Sequence, residues 1–172
     1  AELEELYDKT FIIISKLNYV IYEEIKSLKP EARAKYEIPE VAYSALADIM
    51  KTLLVKRLDS SFEAFKQSLQ NFLTKLKSKA KQFKNGKIFI APGIKEINIS
   101  EYVLEDRENE LEELLTDDQT KGEIYSPDDF ENNFYEKLLL DLELIEPLYN
   151  DWNKIIEDPK YDVLLINLKN NL

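Results

Sequence analysis

Apolar side chains recur every three or four residues along most of the chain, which is the spacing of an amphipathic helix. The first stripe covers residues 3–28 and stops before Pro30, so we predict one long helix there and a linker to Pro39. A second stripe predicts a helix over residues 40–58. The third and clearest stripe predicts a helix about 35 Å long over residues 62–83, which an Asn-Gly pair then ends.

The pattern changes after this third helix. Ile88 and Ile90, then Ile97 and Ile99, alternate with other residues on either side of an Ala-Pro-Gly turn. This alternation allows a small β-hairpin near residues 87–99, within a segment 85–100 that is otherwise irregular. We predict a further helix over residues 100–115 and an acidic loop over residues 116–126.

The last part of the chain is again helical in pattern. Residues 126–129 read Ser-Pro-Asp-Asp, which is typical of a helix start because it offers a cap, a first-turn proline and first-turn acids. Pro147 lies inside the stripe that follows, so we expect a kink or a break near Glu146. A last helix is predicted over residues 158–172. The fold class is therefore all-α: an elongated bundle of about six helices forming a single domain over residues 1–172, with room for one small hairpin.

Composition narrows the chemistry that is open to this chain. It contains no cysteine and no histidine, which excludes disulfides, zinc sites built on those residues, and catalysis by a Cys nucleophile or a His base. It contains no G-x-x-x-x-G-K-[ST] motif to bind ATP. No stretch has the roughly 20 apolar residues of a membrane span, and no signal peptide is visible, so we expect a cytoplasmic protein without a membrane partner. The first residue is Ala1 and not Met, which favours a fragment of a larger protein.

Charge is distributed unevenly around a net value of −11. Residues 51–95 contain eleven basic and two acidic residues, whereas residues 96–159 contain twenty-one acidic and four basic ones. Either a basic helix packs beside acidic helices within one fold, or the lysines face the phosphates of a nucleic acid. The candidate nucleic-acid contacts all belong to the third helix: Lys66, Lys75, Lys77, Lys79, Lys81 and Lys84.

Two further stretches have a possible chemical role. The first is an acidic cluster that could hold magnesium if a second helix supplied facing acids, as in some all-α nucleotide pyrophosphatases; it comprises Glu105, Asp106, Glu108, Glu110, Glu112 and Glu113. Because these acids spread around the helix, a solvated face is the better interpretation, and we assign no catalytic and no metal-binding residue. The second is the stretch 56–65, which is typical of a junction between two helices, with cations at a helix end and a Ser60–Glu63 capping box.

The stretch 53–65 also resembles a signature of bacterial Swi/Snf-type superfamily-two helicase-like ATPases, which are often fused to a phospholipase-D-like domain. In that family a helical region between two RecA-like motor lobes contains a K-R-L-E-S-S-x-x-A-F run. The residues that match it are Lys56, Arg57, Leu58, Ser60, Ser61, Ala64 and Phe65, while Asp59 stands where the family has Glu. A second stretch with Asp158 and Lys160 is similar to the D-x-K-x-x-x-L segment that precedes the second motor lobe.

This resemblance implies a non-catalytic helical insertion domain of an ATP-dependent DNA helicase or translocase. The expected partners are the two flanking motor lobes of the same polypeptide, together with DNA. ATP and magnesium would bind only in the parent's motor lobes, and this chain would hold no cofactor. Two alternatives stay open from the residues alone. One is a self-contained helical scaffold for protein interactions, recognisable by an exposed apolar groove; the other is an all-α magnesium-dependent nucleotide hydrolase.

Overall fold

The computed structural model describes residues 2–35, 46–90 and 123–155, which form a mostly helical unit with one small antiparallel sheet. The α-helices found in these ranges are α1 (Glu2–Lys16), α2 (Pro30–Lys35), α3 (Leu46–Ser60), α4 (Phe62–Asn85) and α5 (Phe134–Asn153). Strand β1 (Ile88–Ile90) pairs with β2 (Glu123–Tyr125), and two 3-10 turns lie at Val20–Tyr22 and Pro127–Asp129. The predicted fold class is confirmed. The helices predicted over 100–115 and 158–172 lie outside the described residues.

Helices α4 and α5 form the centre of the unit as an antiparallel pair. At one end, Trp152 of α5 meets the rings of Phe62 and Phe65 of α4, with centroids 4.9 and 5.2 Å away. At the other end, Phe83 of α4 stacks on Phe134 of α5 at 5.4 Å. The bounds of α4 agree with the prediction to within about a turn. Gly86 ends the helix at φ 78°, a left-handed conformation that glycine adopts without the steric clash of a side chain.

The prediction of one continuous helix over residues 3–28 is wrong, because α1 ends at Lys16. A carboxylate of α5 ends it: Asn18 N–H donates to Asp141 Oδ1 at 2.7 Å, and Val20 N–H donates to Oδ2 at 3.4 Å. Tyr19 between them adopts a left-handed conformation (φ 55°), and its hydroxyl donates to the Ile14 carbonyl at 2.6 Å. These tertiary contacts outweigh the local preference for helix. The 3-10 turn that follows is buried as well, so the apolar spacing continues although the helix does not.

The Ser-Pro-Asp-Asp segment forms a short 3-10 turn and not the start of the long helix. Ser126 N–H donates to Asp129 Oδ2 at 2.8 Å, as a capping box requires. Phe130 then pairs in extended conformation with Leu28. That pairing delays the helix, and α5 begins only at Phe134. Of the kink or break predicted near Glu146, the break is wrong, because α5 continues through Pro147 to Asn153.

The sheet has a different second strand from the one that the sequence suggested. Ile88 lies opposite Tyr125 in the register, and both side chains are buried. The segment with Ile97 and Ile99 lies outside the described residues. The end of the predicted acidic loop 116–126 is therefore strand, because Tyr125 fills space beside β1. Pro30 opens the short helix α2 where a linker was predicted, which suits a residue that lacks an N–H and has a fixed φ.

Candidate nucleic-acid interface and helix junction

The stretch with the family-like signature is a tight junction between α3 and α4. Helix α3 ends at Ser60 and α4 begins at Phe62, so a single residue separates them. The Ser61 side chain accepts a hydrogen bond from Ala64 N–H at 3.3 Å and is the true N-cap. Ser60 instead donates to the Lys56 carbonyl at 2.5 Å. The predicted Ser60–Glu63 capping box is wrong, because Ser60 lies in the last turn of α3 and the helix is capped by Ser61 alone.

Side chains of the signature fix α3 against α4 and α5. Phe65 is fully buried against Trp152, and Leu58 is fully buried in the same core. The Arg57 guanidinium donates to the Ser68 hydroxyl, which joins the last turn of α3 to the second turn of α4. The junction is therefore tied by packing and by a charge-assisted hydrogen bond.

The first turns of α1 and the last turn of α5 contact the same junction. The Tyr7 hydroxyl donates to Asp59 Oδ1 at 2.5 Å, and this hydrogen bond is the main reason that the pKa of Tyr7 is raised to about 12. The Lys66 ammonium donates to the carbonyl of Ile155, just beyond the end of α5. Four helices thus meet at the signature. Lys56 is exposed there, and the second family-like stretch with Asp158 and Lys160 lies outside the described residues.

Two of the lysines predicted to contact nucleic acid lie in the core. Lys79 has no exposed surface; its ammonium is 2.9 Å from Glu24 Oε1 and also donates to the Phe89 carbonyl. Lys75 is 7% exposed, and its ammonium lies 5.0 Å from the centroid of the Tyr22 ring. Buried ammonium groups cannot reach a phosphate at the surface, so Lys75 and Lys79 are withdrawn as candidate contacts. The sequence contained a signal for this, because both lie three or four residues from buried positions of the apolar stripe.

Replacing Lys75 with Met is expected to change how stability depends on pH. Burial lowers the pKa of Lys75 from 10.5 to about 8, against the opposing attraction of Glu24. Between these pH values the unfolded chain binds more protons than the folded one, so stability rises with pH. The wild type should gain on the order of 2–3 kcal/mol relative to Lys75→Met between pH 7.5 and pH 10.5. Urea unfolding at both pH values would measure it. The contribution of the tyrosines is the same in both proteins and cancels when the two free energies of unfolding are subtracted. Curves of unfolding free energy against pH that run parallel for the two proteins would contradict the expectation.

The other four candidate lysines of α4 differ in exposure. The Lys66 side chain is 14% exposed and is engaged by Ile155 and by Glu63, 3.3 Å away. Lys77 is exposed and pairs with Glu146 at 3.0 Å. Lys81 and Lys84 are exposed and form no ion pair within the described part of the chain. The helical spacing of Lys77, Lys81 and Lys84 places them on one face, where they remain candidate phosphate contacts.

A groove of about 290 Å³ lies where the end of α4 meets the segment before α5. Its walls include the rings of Phe83 and Tyr135, which are half-buried and stacked with centroids 5.2 Å apart. Lys29 and Lys84 line it from different elements. Lys29 and Tyr135 were missed from the sequence, because only the pairing of residues 27–29 with residues 129–131 brings them together. The spacing of apolar residues along the chain does not indicate a contact between segments that lie far apart in sequence.

The described residues contain neither a cluster of metal-binding side chains nor a membrane-spanning helix. In residues 2–35, 46–90 and 123–155, no group of three or more acids is placed to hold a metal ion. The acidic cluster 105–113 lies outside those ranges. None of the helices in the same ranges combines the length and apolar character of a bilayer crossing.

No family model matches the chain, and no curated protein or solved structure matches it.

Proposed function

We propose that this chain is a non-catalytic helical insertion domain of an ATP-dependent DNA helicase or translocase, and that it couples the two motor lobes. The observation that carries the proposal is the position of the family-like signature. Its residues fix the junction at which α1, α3, α4 and α5 meet, as Phe65 does against Trp152. A domain that transmits movement between lobes needs such a rigid base.

The α4–α5 pair suits a protrusion that extends from that base. Helix α4 has 24 residues, so it extends about 36 Å from the junction. Aromatic contacts at both ends tie it to α5, which makes the pair stiff. Lys77, Lys81 and Lys84 lie in the half of α4 that is distant from the junction. In the proposed parent, the base would contact the motor lobes and the outer half would contact the DNA backbone.

Replacing Lys77, Lys81 and Lys84 together with Gln is expected to weaken binding to duplex DNA. If each lysine neutralises one phosphate, the slope of log K against log salt should become less negative by about 0.9 per lysine. Fluorescence anisotropy at several salt concentrations would measure this for the chain and for the triple variant. The matched control replaces three other lysines with Gln, namely Lys9, Lys51 and Lys154. These lysines lie on other helices or at the base of α5. Wild-type binding that is insensitive to salt would contradict the phosphate contacts.

The alternative function, a scaffold for protein interactions, is favoured by one observation. Leu139 and Leu140 of α5 are 37% and 48% exposed in the described part of the chain. A partner helix that docked there would be expected to bind less tightly to the double variant Leu139→Glu, Leu140→Glu, and duplex DNA affinity would be unchanged.

A further inference from the structure

The groove at the end of α4 combines flat aromatic surface with charges of both signs. Phe83 and Tyr135 supply the rings, and the interplanar angle between them is 21°. Phe83 also stacks on Phe134, whereas the half-buried Tyr135 has Phe83 as its one ring neighbour among the described residues. A planar group lying on Tyr135 would extend the stack.

Two cations and two carboxylates line the same groove without pairing with each other. The cations are Lys29 and Lys84, and the carboxylates are Asp128 and Glu131. Neither lysine forms an ion pair with any carboxylate in residues 2–35, 46–90 and 123–155. The cations are therefore available to an anion. The carboxylates are available to hydrogen-bond donors.

We propose that this groove binds one unstacked nucleotide of a single-stranded nucleic acid. The base would stack on Tyr135, the phosphate would contact Lys29 and Lys84, and Asp128 or Glu131 would accept hydrogen bonds from the base. A nucleotide is the ligand class that offers a flat π face, an anion and N–H donors in one unit. Inorganic phosphate offers no ring, and a purely acidic peptide would be repelled by the carboxylates.

The size of the groove limits the ligand to one such unit. Ligand pockets usually occupy about 300–1,000 Å³, and this groove, with about 290 Å³, lies just below that range. Duplex DNA cannot offer a base face, because its bases are stacked. This inference rests on the proposed nucleic-acid contact, to which it adds a preference for a single strand at this position.

The test compares a short labelled single strand with its own duplex by fluorescence anisotropy. Tyr135→Leu should raise the Kd for the single strand about fivefold or more, which is the low end of base–aromatic stacking, and leave the Kd for the duplex unchanged. An unchanged Kd for the duplex shows that the leucine variant is folded, and Tyr135→Phe, which keeps the ring, should bind the single strand like the wild type. Lys29→Gln should make the salt slope for the single strand less negative by about 0.7.

Lys154→Gln is the charge-matched control, because this exposed lysine lies at the other end of α5. One outcome would overturn the nucleotide site and leave the proposed DNA contact standing. In it, Tyr135→Leu and Lys29→Gln leave single-strand binding unchanged, whereas Lys77→Gln and Lys81→Gln weaken it. A wild-type chain that binds neither strand form would overturn both.

Discussion

Replacing Trp152 with Ala is expected to lower the free energy of unfolding by about 3–5 kcal/mol. The indole is fully buried and makes edge contacts with the rings of Phe62 and Phe65. Its Nε1–H donates to Thr10 Oγ1 at 2.9 Å, so the same side chain links α5 to α4 and to α1. Alanine would leave a large cavity at the junction and would remove the hydrogen bond to Thr10, whose hydroxyl still donates to the Leu6 carbonyl.

Urea unfolding followed by far-UV circular dichroism would measure the loss, since Trp152 is the only tryptophan and cannot serve as its own fluorescence probe. Leu140→Ala is the control on the same helix; this leucine is 48% exposed and its removal should cost less than about 1 kcal/mol. Trp152→Phe should fall between the two, because it keeps an aromatic ring and loses the hydrogen bond. Equal effects of Trp152→Ala and Leu140→Ala would contradict the view that the signature junction is the packed base of the domain.

Replacing Glu24 with Gln is expected to destabilise the fold by about 3–5 kcal/mol, as breaking a buried ion pair does. Glu24 is 2% exposed and lies 2.9 Å from the ammonium of Lys79, which has no exposed surface. Among the described residues the Glu24 carboxylate accepts no hydrogen bond of good geometry, so its stabilisation is electrostatic. Glutamine would remove the carboxylate charge that pairs with the buried Lys79 ammonium and that also attracts the Lys75 ammonium.

A double-mutant cycle separates the charge pair from packing. Glu24→Met with Lys79→Met should be more stable than either single variant, because the double variant buries no isolated charge of the pair. The exposed pair of Lys77 and Glu146 is the matched control. Breaking it by Lys77→Met should cost at most about 1 kcal/mol. Additive effects of Glu24→Met and Lys79→Met would show that the two side chains do not stabilise each other.

The sequence predicted correctly those helices and turns that are determined by residues close together in the chain. The apolar stripe and Gly86 define α4, because helix periodicity and a left-handed C-cap are properties of neighbouring residues. The end of α1 could not be predicted, since its cause is Asp141 on a helix far along the chain. The start of α5 was misplaced for the same reason, because the pairing of Phe130 with Leu28 delays it.

The candidate sites were also predicted where they depend on neighbouring residues and missed where they depend on distant ones. The signature 56–65 was predicted as a helix junction from its own residues, and the structure has a junction there. Six lysines of α4 were candidate nucleic-acid contacts, although two of them, Lys75 and Lys79, occupy positions of the buried face. Their spacing from the apolar stripe indicates burial, but Glu24, the carboxylate that pairs with the buried Lys79, lies too far away in sequence for any pattern to connect them. The groove at Tyr135 joins three segments and is a property of the folded chain alone.

If this chain is the insertion between two motor lobes of an ATPase, the coding sequence on both sides of its 172 residues encodes those lobes. Sequencing the gene outward from both ends should show a G-x-x-x-x-G-K-[ST] motif and an acidic magnesium-binding box upstream of Ala1, and the first strand of a second motor lobe soon after Leu172. An open reading frame that extends to both sides without motor motifs, or that is bounded by a start codon before Ala1 and a stop codon after Leu172, would contradict it.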